Sequence, residues 1–295
     1  MNELPPPASL ARPLVADGAM GTMLFTLGMP VGESPEAWLL TPEGARAVTE
    51  VHRAHVAAGA QLVLTSTFGA NHLRLEGSDI SGRTVEVCRA AIDAARAGTG
   101  ADTIIAASMG PTGGLLAPYG LLDPGAVRAA YAEQAAAMAE AGAAVLWIET
   151  MMDLGEAAAA VDGAREGAPG LPVVATMTFA PNGRTMFGNW PDAVAATLAE
   201  HGVAGVGANC GDGFAPVEQV MGAMAAAAPG LHLVAKANAG IPTVSADGVT
   251  DYPATPADAA GYARRAADAG ATIIGGCCGT LPAHVAAIAE ALAAR

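Results

Sequence analysis

The chain is predicted to fold as a single closed (βα)8 barrel of the α/β class, and three observations carry that expectation. Its 295 residues suit one barrel of ordinary size. A short apolar, β-branched run recurs eight times along it. Alanine-rich helical stretches fall between the runs, and most end at a glycine.

In order, the runs are residues 13–16 (PLVA), 61–68 (QLVLTSTF), 103–109 (TIIAASM), 144–150 (AVLWIET), 172–179 (PVVATMTF), 205–210 (GVGANC), 231–238 (LHLVAKAN) and 271–278 (ATIIGGCC). They are continuous rather than alternating, as parallel strands covered on both faces require. Thr41-Pro42, Asp123-Pro124 and Thr255-Pro256 each set a capping oxygen before a proline, whose missing N–H is not needed in the first helical turn. Gly59, Gly142, Gly170, Gly202, Gly230 and Gly270 each close a helix in the left-handed conformation. No shift of composition or linker divides the chain, so residues 1–295 read as one domain, with 1–12 a loosely ordered extension. An open doubly wound sheet is the competing architecture, because eight units do not by themselves prove closure.

Apolar residues make up 52% of the chain and charged ones only 14%, which excludes a disordered chain. With 14 basic against 28 acidic residues the net charge is −14, which argues against nucleic acid or an anionic membrane as partner. The start, MNELPPP, has neither a basic cluster nor an apolar run, and no apolar stretch approaches ~18 residues, so a cytoplasmic protein is expected.

Barrel chemistry sits at the C-terminal ends of the strands. There stand Asp17, residues 65–71, Met109-Gly110-Pro111, Glu149, Thr178, Asn209-Cys210, Asn238 and Cys277-Cys278. Three of the four cysteines therefore converge on one mouth. Cys88 falls in a helical stretch outside. Three thiolates from the sixth and eighth strands could supply three corners of a tetrahedron around Zn²⁺ and leave the fourth open to substrate. The competing readings are three small buried side chains or a disulfide. Glycines on both sides of Cys277-Cys278 give the backbone freedom to turn both sulfurs inward.

These residues carry a resemblance. Asp17-Gly18-Ala19-Met20-Gly21-Thr22, Val51-His52-Arg53 leading to Thr65-Ser66-Thr67-Phe68-Gly69-Ala70-Asn71, Gly207-Ala208-Asn209-Cys210 and Gly275-Gly276-Cys277-Cys278-Gly279-Thr280 resemble the zinc-dependent homocysteine S-methyltransferase family over essentially the whole chain. Ser108-Met109-Gly110-Pro111-Thr112 and Asn238-Ala239-Gly240-Ile241-Pro242 are most similar to the homocysteine-binding barrel of cobalamin-dependent methionine synthase, and less to the betaine and S-methylmethionine branches. Ala237 stands where the cobalamin branch usually has proline, and Asn189-Trp190-Pro191 is an unusual entry to the fifth helix.

The resemblance implies that Cys210, Cys277 and Cys278 hold zinc and that zinc activates the thiol of homocysteine for methylation to methionine. It implies that Asp17 and Glu149 receive the substrate ammonium. Backbone N–H groups of Gly18, Ala19 and Met20 would meet its carboxylate, and Asn209 would belong to the same substrate-binding site, orienting the loop rather than reacting. Asn238 reads either as a fourth zinc ligand in the absence of substrate or as a turn residue.

One barrel uses all the residues, and no Asp-x-His-x-x-Gly corrinoid signature occurs, so the methyl group is expected from outside. A methylcorrinoid on a separate protein, with free methylcobalamin as its small-molecule counterpart, is the leading donor. An S-methylmethionine- or betaine-type onium is the alternative, as is a different acceptor thiol. His52 and His55 read as packing on an outer helix, Pro111-Thr112-Gly113-Gly114 as a turn, and Met20, Met23, Met109, Met177 and Met186 as gap fillers more than a methyl-transfer face.

Overall fold

The computed structural model describes residues 3–244 and 250–295. In it the eight runs form parallel strands: β1 Leu14–Val15, β2 Leu62–Leu64, β3 Ile104–Met109, β4 Val145–Met151, β5 Val173–Met177, β6 Gly205–Cys210, β7 His232–Ala237 and, after two minor strands, β10 Ile273–Gly276. Neighbours follow the order β1-β10-β7-β6-β5-β4-β3-β2. The ends of that order meet. Ala16 bridges to Leu62, and the Gln61 N–H donates to Val15 O at 2.8 Å and the Asp17 N–H to Leu62 O at 2.9 Å. This closes the barrel and removes the open-sheet alternative.

The helical signals hold. Thr41 caps α3 (Pro42–Ala57) through the Gly44 N–H, Asp123 caps α6 (Pro124–Ala141) through Gly125 and Ala126, and Thr255 forms a capping box with Asp258 on α10 (Pro256–Asp268). All six stop glycines have positive φ, between 79° at Gly202 and 103° at Gly59. The second run is shorter as a strand than its sequence suggests. Beyond Leu64 the chain leaves the ladder, and Thr65 and Thr67 form side-chain hydrogen bonds with each other and with the backbone of Ser108 instead. An unforeseen exposed antiparallel hairpin, β8 Thr243–Val244 with β9 Thr250–Asp251, follows β7.

Alternation of side chains across each strand sorts the interior into layers. Leu14, Ala16, Leu62, Leu64, Ile104, Ala106, Val145, Trp147, Val174, Val234 and Ile273 fill the inside of the barrel. Two residues past Ala106, Trp147, Val174 and Val234, on the same inner face, stand Ser108, Glu149, Thr176 and Lys236. The interior therefore turns polar in one step, at the end where the strands stop.

At the opposite end, residues 3–12 are not loose as expected. Leu4 and Leu10 pack beneath the inner apolar layer, residues Pro7–Ser9 form a 3-10 turn, and the His232 ring is hydrogen-bonded to Pro5 O at 2.8 Å through Nε2. Apolar surface at the open foot of the barrel is what they cover. Among the described residues no helix is long and apolar enough to cross a membrane.

Candidate active site

A cavity of about 510 Å³ opens at the C-terminal mouth, lined by Asp17, Gly18, Ala19, Met20, Glu149, Cys210, Cys277 and Cys278, and also by Ser108 and Lys236. The thiols, the two acids and the glycine turn singled out from sequence thus share one chamber. Asn209 and Asn238 stand behind its wall.

The sulfurs of Cys210, Cys277 and Cys278 all lie within 4.8 Å of one another. Four sulfurs at ~2.3 Å around one tetrahedral zinc are about 3.8 Å apart, so the trio suits such an ion with little movement. Within the cluster the thiols share their protons unequally. S–H donation from Cys277 and Cys278, helped by Gly211 and Asn238, holds the Cys210 thiol well below its usual range, to about 3. The two donors are pushed up in turn, first of all by their hydrogen bonds to Cys210. Binding of a cation would release those remaining protons. Cys88, sealed on α5 (Thr84–Gly98), is pushed up to about 12 by burial and takes no part.

Strand ends here are bent to aim these groups. Cys210 and Thr150 are the only non-glycine residues of positive φ among those described, at 64° and 62°. Such strain persists where surroundings over-determine it, and Asn209 supplies the determination. Fully buried, its Oδ1 accepts from the Thr150 N–H and from Thr176 Oγ1, both at 2.8 Å, and its Nδ2 donates to Thr150 Oγ1 at 2.7 Å and faces Cys277 Sγ at 3.9 Å. Asn209 is therefore a strut that orients the loop, and its amide is engaged throughout. Asn238 is a second strut. Its Oδ1 accepts the Cys278 N–H at 3.0 Å, and its Nδ2 donates to Gly211 O at 2.7 Å and faces Cys210 Sγ at 3.5 Å.

Glycines are required where the walls touch. A Cβ on Gly276 would meet Thr280 Oγ1 at 2.1 Å, and one on Gly18 would meet Thr280 O at 2.3 Å. That close approach has a second effect: the Ala19 N–H donates to Thr280 O at 2.9 Å. It is spent, so a substrate anion at this turn would be met by Gly18 and by the free first-turn N–H groups from Met20 onward, not by Ala19 as expected.

The floor is charged and buried. Glu149 accepts from Ser108 Oγ at 2.5 Å. Burial raises its carboxyl to about 7, against the lowering influence of Ser108 and Lys236. Asp17 accepts from Lys236 Nζ at 2.7 Å through Oδ1 and from the Leu64 N–H at 2.7 Å through Oδ2. Sequence reasoning missed Lys236. The signal was present: it is the sole lysine, two residues past the inward Val234. Behind Asp17, His52 and His55 on α3 are buried, and burial pushes His52 down to about 4. They stay neutral and pack, as expected. Of the methionines, Met23, Met109 and Met177 fill the core, Met186 is exposed, and Met20 alone lines the cavity.

A closed barrel with three convergent thiols and a buried acidic floor at its C-terminal rim is a frame suited to chemistry at sulfur, and its thiols could hold a metal ion. Comparison with known proteins agrees. The family described as homocysteine S-methyltransferase matches residues 14–292. The chain is 32% identical over 299 residues to a methionine synthase of Mycobacterium tuberculosis, covering 96% of this chain and 25% of that protein. It is 31% identical over 283 residues to betaine–homocysteine S-methyltransferase 1 of Xenopus laevis, covering 88% and 67%. The homocysteine methyltransferase MmuM from Escherichia coli, in its metallated form, superposes with a TM-score of 0.78 at 23% identity over 95% and 96% of the two chains, a likeness of fold. The chain belongs to the homocysteine S-methyltransferase family. It spans about a quarter of the length of the methionine synthases it matches.

Proposed function

We propose that this barrel transfers a methyl group to the thiol of homocysteine, forming methionine, with zinc held by Cys210, Cys277 and Cys278. The observation that carries this reading is the position of the three sulfurs, within 4.8 Å of one another on the wall of a cavity whose floor is Glu149 and Asp17. When bound, zinc lowers the pKa of a coordinated thiol and so supplies a nucleophile near neutral pH.

The chain's own groups do the rest. Glu149 is poised to give up its proton and receive the substrate ammonium, and Ser108 holds that carboxylate in place. Gly18 and the start of α1 (Met20–Thr26) offer backbone N–H groups to the substrate carboxylate. Asn209 and Asn238 fix the cysteine-bearing loops so that the sulfurs need little reorganisation. X-ray absorption at the zinc edge tests the reading: three sulfur neighbours become four when homocysteine is added, and an unchanged count overturns it.

The donor we propose is a methylcorrinoid carried by a protein domain outside these residues, entering at the open mouth. Exposed Tyr119, Phe187 and Trp190 stand on the loops that follow β3 and β5, at the end of the barrel where the strands stop, with the Tyr119 and Phe187 rings 5.9 Å apart. The kinship to betaine–homocysteine S-methyltransferase favours an onium donor as the second reading. Incubation of zinc-loaded enzyme and homocysteine with methylcobalamin, then with betaine or S-methylmethionine, separates the two, and turnover with an onium alone overturns the first.

A further inference from the structure

The floor of the cavity already holds an ammonium group. Lys236 is 2% exposed, and its Nζ donates to Asp17 Oδ1 at 2.7 Å and to Asp17 O at 3.0 Å. The other oxygen of that carboxylate accepts the Leu64 N–H at 2.7 Å. Asp17 is thus met on both oxygens by the protein itself, and one of its partners is the same chemical group, an alkylammonium, that the α-amino end of an amino-acid thiol would bring. Separating a buried pair of this kind leaves an uncompensated charge on each side, so a substrate ammonium does not displace Lys236 at little cost.

Charge on the floor changes accordingly. Without Lys236, Asp17 and Glu149 would present two carboxylates, and an incoming ammonium would be demanded. With Lys236 paired to Asp17, the remaining carboxyls lining the cavity are Glu149, which accepts from Ser108 Oγ through Oε1, and Glu36, whose Oε1 accepts the Gly69 N–H at 2.6 Å and which belongs to the loop side of the chamber. Lys236 also lines the cavity. An ammonium makes three donor bonds and two are used within the protein, which leaves one N–H for an anionic group of the substrate.

We propose that Lys236 is the specificity-determining residue of the thiol pocket: by occupying the Asp17 half of the acidic floor it makes the α-amino group of the substrate dispensable, so that thiol carboxylic acids lacking that amine are accepted beside homocysteine. This deepens the homocysteine reading of the site and rests on it. The amine then contacts Glu149 alone, and its removal forfeits one charge-assisted hydrogen bond rather than two.

The test compares the affinities of zinc-loaded protein for homocysteine and for 4-mercaptobutyrate, the same molecule without the amine, by equilibrium dialysis. In the wild type the two are expected to lie within about tenfold of each other, one such bond being lost. In Lys236→Met, Asp17 lacks its counter-ion and only a substrate ammonium can replace it, so the preference for homocysteine widens by roughly a further tenfold or more. A wild-type preference beyond about a hundredfold overturns the proposal without recourse to any variant, as does a ratio that Lys236→Met leaves unchanged in a folded protein. Binding of neither thiol by the zinc-loaded wild type brings down the homocysteine reading itself, and this inference with it.

Discussion

At its foot the barrel is closed by Leu14, Leu62, Ile104, Val145 and Ile273, with Leu4 and Leu10 packed below them. A few residues along the same strands, the mouth presents Ser108, Glu149, Lys236 and three thiols around a cavity. The foot is apolar, unstrained and sealed. The mouth carries both left-handed non-glycine residues and the floor's buried ion pair. One set of strands therefore divides its labour along its length: burial below holds the cylinder, and that rigidity lets the groups above be kept dry, charged and bent.

The contrast between the two ends is broken most completely at the thiols. Cys277→Ala is expected to lose zinc and methyl transfer together, to background, while the circular dichroism spectrum stays that of the wild type. Retained stoichiometric metal would remove Cys277 from the ligand set.

A smaller effect is expected at Glu149. Glu149→Gln should weaken homocysteine binding by roughly tenfold or more. The same variant reads the cost of a buried acid. Because the folded carboxyl titrates near 7, above its ordinary value of 4.5, the native state keeps its proton where the unfolded chain has lost it. This stabilisation is present in full below about 4.5 and is lost as pH rises through about 7. Denaturant titrations of wild type and Glu149→Gln, both without metal, should show the stability difference between them shifting against the wild type over that window, since the opposing contribution of buried His52 is common to both.

The smallest effect lies at the other end. Removing residues 3–12 should lower stability by about 2 kcal/mol, through loss of the cover given by Leu4 and Leu10. Zinc content and methyl transfer should not change. A loss of activity at unchanged stability would show that the two ends are not separate.

Much of this division was legible in the sequence, for local reasons. Stop glycines, capped prolines and continuous β-branched runs are each determined by a few neighbouring residues, so Thr255-Pro256 and Gly142 could be read directly. Cys210, Cys277 and Cys278 stood out because thiols are scarce and these sit at strand ends. Illegible were the groups whose meaning depends on a distant partner. The Ala19 N–H is spent on Thr280, Asn209 on Thr150 and Thr176, and Asp17 on Lys236, and none of these pairings leaves a local trace. Leu4 and Leu10, set among prolines, show no periodicity that would betray a docked segment.

The seam that closes the barrel also has a consequence. Between β1 and β2 the ladder is reduced to the Ala16–Leu62 bridge and a few hydrogen bonds, and two of those involve Asp17: its N–H to Leu62 O and its carboxylate from the Leu64 N–H. Asp17 is in effect a rivet in the shortest ladder of the cylinder, driven from inside the candidate active site. If thermal breathing opens that joint, the pocket loses its floor at the same moment. The working lifetime of the catalyst and the mechanical lifetime of the barrel are thereby tied to one carboxylate.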